Sequence, residues 1–240
     1  MKPGKFLLFS LFLFFLFFTV FSWEYYWGQK TVTDSSTFTE KDDEYSDSRK
    51  TARMLREAIS LIRTDETDSA LELLDSVLAL EPGLRHALNN KGYAYEKKGV
   101  FDSSVAYYMK AYNADSSYSV PLYNAANVYL KTGEPEKAID LYKAYFAAGG
   151  NIKGSYLNMS SALSLVKKYE EASKILLKGW VLYPEDPEIC VNRAVLMESL
   201  NRDSAAFIWE KCTAILKAKG TPEKDIKEIQ NRIRILRGGR

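Results

Sequence analysis

Four asparagines recur along the chain at a constant spacing of 34 residues. They are Asn90, Asn124, Asn158 and Asn192, and Arg56 occupies the corresponding position one period earlier. A side-chain amide carries two N–H donors and a carbonyl acceptor, so it can pair with a peptide unit without reading the side chain attached to it. The spacing therefore favours a site that binds a peptide backbone. The alternative is that the amides bond to neighbouring helices of their own chain.

The sequence offers no catalytic or metal-binding arrangement. Its one histidine, His86, excludes a histidine-based triad or a multi-histidine metal site within the chain. No glycine loop precedes a helix in a phosphate-binding pattern. The net charge of +2 is too small to indicate a nucleic-acid partner. We therefore expect a protein without enzymatic activity or cofactor, in which His86 lies on the surface.

The asparagines belong to a longer repeat that positions them. Five blocks of 34 residues follow one another without insertion, at 51–84, 85–118, 119–152, 153–186 and 187–220. Small residues fill the eighth and twentieth positions of every block: Ala58, Gly92, Ala126, Ser160 and Ala194, then Ala70, Ser104, Ala138, Ala172 and Ala206. Apolar spacings of three, four and seven add one apolar stripe to each half-block. Each block is therefore predicted to form two antiparallel helices that cross closely where the small side chains meet.

The 34-residue period, the two small-residue columns and the segment from Leu88 to Tyr95 (LNNKGYAY) resemble the tetratricopeptide-repeat (TPR) family. The resemblance implies an all-α fold, a TPR α-solenoid of five helix-turn-helix repeats whose first helices line a concave groove. Residues 221–240 are predicted to form a C-terminal capping helix, because a start signal at Pro222 precedes a one-sided apolar stripe. Stacked repeats need such a cap over their exposed apolar edge.

The TPR resemblance also places the asparagines. In that family the sixth repeat position faces the concave groove, and in some members a ladder of asparagines there holds the backbone of a bound peptide. Other residues expected on this face, besides Arg56, are Tyr93, Lys97, Tyr123, Asn127 and Lys131. They predict a basic, aromatic-lined groove in the first three repeats, suited to an acidic peptide or partner protein. The simpler alternative is that the charged residues only solvate the helices.

The N-terminal residues 1–23 are predicted to target the chain to a membrane. No charged residue interrupts the run from Phe6 to Trp23, and Lys2 and Lys5 precede it, which predicts that everything after the run lies outside the cytoplasm. The run is intermediate between a signal-peptide core of about 7–15 residues and a spanning helix of about 20. Residues 1–23 are therefore either a retained anchor, which we favour, or a signal peptide whose cleavage gives a secreted protein.

Residues 24–50 are predicted to form a polar, flexible linker. The segment is rich in Ser, Thr and Asp and holds seven acidic against four basic residues. It cannot bury enough apolar surface to offset the entropy lost on ordering. We expect it to separate the repeats from the membrane.

The only two cysteines, Cys190 and Cys212, fall in the two predicted helices of the fifth repeat. An antiparallel pair that crosses at Ala194 and Ala206 brings both to the same level of the interface. A disulfide would then be possible in an oxidising compartment. The alternative is that the two are small apolar residues of the core.

These patterns predict a non-enzymatic TPR scaffold, exported or membrane-tethered, that binds an extended peptide or a partner protein in its groove. Two alternatives stay open. One is a ligand-binding or adaptor subunit of an envelope transport or assembly complex, which predicts a discrete pocket. The other is an architectural member of an envelope complex that uses its convex face.

Overall fold

A computed structural model of the protein describes residues 49–238, and within that range it contains helices and turns but no strand. The eleven helices of these residues are α1 (Arg49–Arg63), α2 (Thr67–Leu80), α3 (Arg85–Lys97), α4 (Phe101–Ala114), α5 (Val120–Lys131), α6 (Pro135–Ala147), α7 (Lys153–Leu165), α8 (Tyr169–Leu182), α9 (Pro187–Leu200), α10 (Arg202–Ala218) and α11 (Glu223–Leu236). Each helix contacts the next along the chain, and the first helices of successive hairpins also touch. The predicted all-α solenoid of helical hairpins is confirmed.

The helix bounds follow the 34-residue blocks closely. Helix α1 begins at Arg49, two residues before the predicted start of the first repeat at Thr51. The predicted N-terminal membrane segment, and the linker up to residue 48, lie outside the described residues. None of the helices within residues 49–238 is long and apolar enough to cross a membrane.

Close helix crossing depends on the two small-residue columns. All ten of their members are buried. At Gly92 in α3, a built Cβ atom would lie 2.7 Å from the ring of Tyr108 in α4 and 3.1 Å from the backbone oxygen of Ser104. Such contacts are shorter than packed atoms tolerate, so a larger residue would push the two helices of the hairpin apart.

The first helix of each of the first four hairpins ends in the same way. Asp65, Gly99, Gly133 and Lys167 are spaced by 34 residues and have φ angles of 70°, 75°, 80° and 61°. This left-handed conformation reverses the chain, and it costs least at glycine. The fifth hairpin differs, because Asn201 is extended and its side chain accepts a hydrogen bond from the Ser204 N–H (2.8 Å), which caps α10.

Helix α11 covers the last hairpin. Ile226 is fully buried, and Ile229, Ile233 and Leu236 pack against a cluster that contains Cys190 and Trp209; that is the contact expected of a cap. Two ion pairs hold its polar side. Arg232 binds both carboxylate oxygens of Glu198 (2.5 and 2.7 Å), and Arg237 binds Glu210 (2.5 Å).

Candidate partner-binding site

Side-chain amides connect the first helices of the second, third and fourth repeats. Asn124 in α5 donates to Asn89 Oδ1 in α3 (3.1 Å). Asn158 in α7 donates to Asn127 Oδ1 in α5 (2.8 Å), which also accepts a bond from the hydroxyl of Tyr142 (2.5 Å). Together with Asn90, these residues form what we call the asparagine row: Asn89, Asn90, Asn124, Asn127 and Asn158.

The four asparagines spaced by 34 residues therefore differ in accessibility. Asn90 and Asn124 are 0% exposed, and Asn158 is nearly as buried. Asn90 and Asn192 each donate to a backbone oxygen one turn earlier in their own helix, at 2.8 Å, and only Asn192 is exposed. Asn124 and Asn158 follow the alternative stated in the sequence analysis, because their amides bond to a neighbouring helix of their own chain. Peptide binding by the four asparagines stays a prediction.

Three amide atoms of the asparagine row have no hydrogen-bond partner among residues 49–238, although all three are buried. They are Asn89 Nδ2, Asn90 Oδ1 and Asn127 Nδ2. A buried amide atom without a partner costs about 1–3 kcal/mol. The row thus combines amides that hold the helices together with amide atoms that would gain from a further polar group.

The predicted flanking residues include three exposed cations and two tyrosines. Arg56, Lys97 and Lys131 are exposed, but Lys97 forms an ion pair with Asp65 (2.8 Å), so that its charge is partly neutralised. Lys131 Nζ lies 5.2 Å from the ring centroid of Phe101. The groove face is therefore less basic than the sequence alone indicates.

The two predicted groove tyrosines are not equivalent. Tyr93 is half-buried, and burial raises the pKa of its hydroxyl. Tyr123 is only 2% exposed, and its ring packs between Tyr142 and Tyr145 with centroid distances of 6.2 and 5.7 Å. Tyr123 therefore supports the α5–α6 hairpin and does not line an accessible aromatic surface.

The prediction that His86 lies on the surface was wrong. Its side chain is 5% exposed and lies 5.2 Å from the ring of Tyr118. The Nε–H of Arg85 donates to His86 Nε2 (3.2 Å), and Arg85 forms an ion pair with Asp115. Burial lowers the pKa of His86 to about 4, although the nearby carboxylate of Asp115 opposes the shift. The imidazole is therefore neutral at pH 7.

Cys190 in α9 and Cys212 in α10 form a disulfide in the structure, with their Cα atoms 5.5 Å apart. Both residues are fully buried, in the cluster that also contains Trp209. Residues 49–238 contain no group of three or more His, Cys, Asp or Glu side chains that could hold a metal ion.

A stack of helical hairpins with a 34-residue period is the architecture of a repeat protein of the TPR type. Residues 86–118 and 122–144 each match a family model described as a tetratricopeptide repeat. The two matches, together with the fold, support assignment of the repeat region to the tetratricopeptide-repeat family. The fold supports a protein–protein interaction scaffold with protein or peptide partners, and proteins of this family are typically not enzymes.

Several solved TPR structures share the fold. MamA residues 41 to the end, from Desulfovibrio magneticus RS-1, superimposes with a TM-score of 0.62 at 17% identity, over 71% of this chain and 97% of that one. The C-terminal part of a TPR protein from Cytophaga hutchinsonii gives 0.65 at 16% identity, over 78% and 75%. YrrB, described as a TPR protein with an unusual peptide-binding site, gives 0.52 at 17% identity, over 68% and 91%. A search of curated protein sequences found no match.

Proposed function

We propose that this chain is a non-enzymatic scaffold, exported or membrane-tethered, that binds an extended segment of a partner protein along its first helices. The observation that carries the proposal is the asparagine row, in which Asn89, Asn90 and Asn127 each hold a buried amide atom without a partner in the described part of the chain. Two of these atoms are donors and one is an acceptor. A peptide backbone has the complementary groups, since each peptide unit carries a C=O acceptor and an N–H donor.

The row is also held in place by its own contacts. The Asn124–Asn89 and Asn158–Asn127 bonds join α3, α5 and α7, so that the amides of three repeats keep a common register. A partner that paired with this row would find its hydrogen-bonding groups already ordered, which lowers the entropic cost of binding. The bonded members thus hold the row in a fixed register along the three helices, and we place the partner segment along it.

The exposed cations favour a partner segment that carries negative charge. Arg56 and Lys131 lie on α1 and α5, the first helices of the first and third repeats. Exposed charges of this kind contribute modestly to affinity and more to the rate of association, and salt screens their effect. We therefore propose acidic partner segments whose binding weakens as the ionic strength rises.

Export is supported by two independent features. The charge-free run from Phe6 to Trp23 follows Lys2 and Lys5, an arrangement that directs the following chain across a membrane. The Cys190–Cys212 disulfide belongs in an oxidising compartment. We propose that residues 24–240 lie outside the cytoplasm, held at the membrane by the N-terminal segment.

The topology can be tested in the native host. A reporter enzyme that works only outside the cytoplasm, fused after Arg240, should be active. Deleting residues 1–23 from the same fusion should abolish that activity. A fusion that is inactive with residues 1–23 in place contradicts the proposed topology.

The peptide-binding role predicts a face-specific loss of affinity. The combined change Asn127→Ala and Lys131→Gln should weaken binding of a peptide selected against the full chain by about ten-fold or more, since an unpaired buried peptide group costs about 1–3 kcal/mol. The matched control is Asn113→Ala with Lys110→Gln, which makes the same changes at exposed positions of α4, the second helix of repeat two. Fluorescence anisotropy of the labelled peptide measures both affinities.

Because Asn127 bonds Asn158 and Tyr142, the groove variant is first checked by its thermal melting. Lys131→Gln alone, at an exposed position, should retain stability and still weaken binding at low salt. Equal affinities for the groove and control variants would move the binding surface away from the first helices.

A further inference from the structure

The fifth repeat holds a cavity of about 460 Å³ between α9 and α10. Its apolar lining comes from Met197, Phe207 and Ile208, and its charged lining from Arg193, Lys211 and Asp203. Phe207 is 56% exposed, so the cavity opens to solvent along an apolar wall. The volume falls within the range of about 300–1,000 Å³ that is usual for small-molecule pockets.

Arg193 is the unusual member of this lining. Its Nε is buried and has no hydrogen-bond acceptor in residues 49–238, and the guanidinium has no ion pair with any carboxylate of that range. The guanidinium carbon lies 5.5 Å from the ring centroid of Trp180 in α8, which fixes its position. Partial burial lowers the pKa of Arg193 from its ordinary value, because desolvation disfavours the charged form. An anion in the cavity would supply the counter-charge.

The charges of the cavity are arranged along one face of α10. Asp203, Phe207 and Lys211 are spaced by four residues, so they share a face that spans about 12 Å. The cation lies at one end of this face, the aromatic ring in the middle and the carboxylate at the other end. Lys211 also lies over Phe207, with Nζ 4.7 Å from the ring centroid. The cavity therefore separates a basic end from an acidic end by an apolar centre.

We propose that this cavity binds a small monocarboxylate with an apolar body. The carboxylate pairs with Arg193 and Lys211, and the body packs against Met197, Phe207 and Ile208. An inorganic phosphate is a poorer fit, because it would leave the apolar lining formed by Met197, Phe207 and Ile208 without an apolar partner. A dicarboxylate is a poor fit as well, because Asp203 would repel its second charge. The cavity lies outside the asparagine row, so this inference does not rest on the proposed function.

The test uses 3-phenylpropionate as the probe and the full chain in lipid nanodiscs. Isothermal titration calorimetry should give saturable binding, and the ¹⁵N–¹H resonance of the Arg193 Nε–H should shift along the same titration curve. The alcohol 3-phenylpropanol, which lacks the carboxylate, should bind at least ten-fold more weakly. The dicarboxylate 4-(2-carboxyethyl)benzoate should also bind weakly, and Asp203→Asn should improve its binding.

Arg193→Gln should weaken 3-phenylpropionate binding by ten-fold or more, while Lys224→Gln, an exposed position on α11, should leave it unchanged. Arg193→Gln also loses packing on Trp180. Lys211→Gln changes only an exposed side chain, so its effect on binding reports on the site itself. The proposal is overturned if the acid and the alcohol bind equally, if the Arg193 resonance does not move, or if Lys211→Gln and Lys224→Gln bind the probe alike.

Discussion

Replacing both Cys190 and Cys212 with alanine should lower the free energy of unfolding by about 3 kcal/mol. The disulfide joins residues separated by 22 positions, and closing a loop of this size in the unfolded chain is worth about 3 kcal/mol. The bridge connects α9 to α10 inside an apolar cluster. Helix α11 packs against the same cluster through Ile229 and Ile233. Its loss should therefore loosen the C-terminal repeat and its cap more than the first repeats.

Chemical denaturation, followed by tryptophan fluorescence and by circular dichroism, should show this loss as a lower midpoint. Cys190→Ala alone is the matched control, because it also removes the bridge but creates only one of the two small cavities. It should account for most of the loss. Alkylation with and without prior reduction, read by mass spectrometry, establishes the bond directly. Two free thiols in the unreduced protein would contradict it and remove one support for export.

Acid should lower the free energy of unfolding of the repeats through His86. Folding lowers the pKa of this residue from 6.5 to about 4. The unfolded chain therefore takes up a proton below pH 6.5 that the folded chain refuses until about pH 4. The contribution of neutral His86 is fully present above pH 6.5, declines as the pH falls toward 4, and then stays constant. At about 1.4 kcal/mol per pH unit, the loss is about 3 kcal/mol.

The measurement compares the unfolding free energies of the wild-type chain and His86→Gln between pH 7.5 and 4. Subtracting the variant isolates His86 from the carboxylates, which titrate in both proteins. The wild-type advantage should shrink by about 3 kcal/mol over this range. An advantage that does not change with pH would mean that the folded chain does not hold His86 neutral against protonation.

The repeat architecture could be predicted from the sequence because its cause is local and periodic. Small residues at a helix crossing are a steric requirement that returns in every hairpin, as the contact between Gly92 and Tyr108 shows. The left-handed residue after the first helix also recurs every 34 residues. Its residue type varies, however, so the sequence does not reveal it. Asp65 and Lys167 adopt there the same left-handed conformation as Gly99 and Gly133. The backbone hydrogen bonds that end the helix, from Glu66 N–H to the Leu61 oxygen and from Lys168 N–H to the Leu163 oxygen, outweigh local preference at those two positions.

The candidate site was predictable only in part, since a periodic position fixes a residue's helix but not its neighbours. Position within the repeat could not show that Asn124 reaches Asn89, or that Asn158 reaches Asn127. Tyr123 was predicted to line the groove, yet its ring fills the space beside Tyr142. Such contacts depend on the side chains of the adjacent repeat, which differ from one repeat to the next.

His86 and Arg193 were missed for a similar reason. Each is a single polar residue in a helix, without a motif, and its environment comes from residues distant in sequence. His86 meets Tyr118 from the end of its repeat, and Arg193 meets Trp180 from the preceding repeat.

The most direct test of the scaffold proposal is to locate the partner on the full chain in living cells. A photo-reactive amino acid is placed at Lys131 on α5, the first helix of repeat three, or at Lys110 on α4, the second helix of repeat two; both positions are exposed. The proposal predicts a specific cross-linked partner at position 131 that is absent at 110, and its loss when Asn127→Ala is added. An adduct of equal strength at position 110, or one that appears only there, would contradict binding along the first helices.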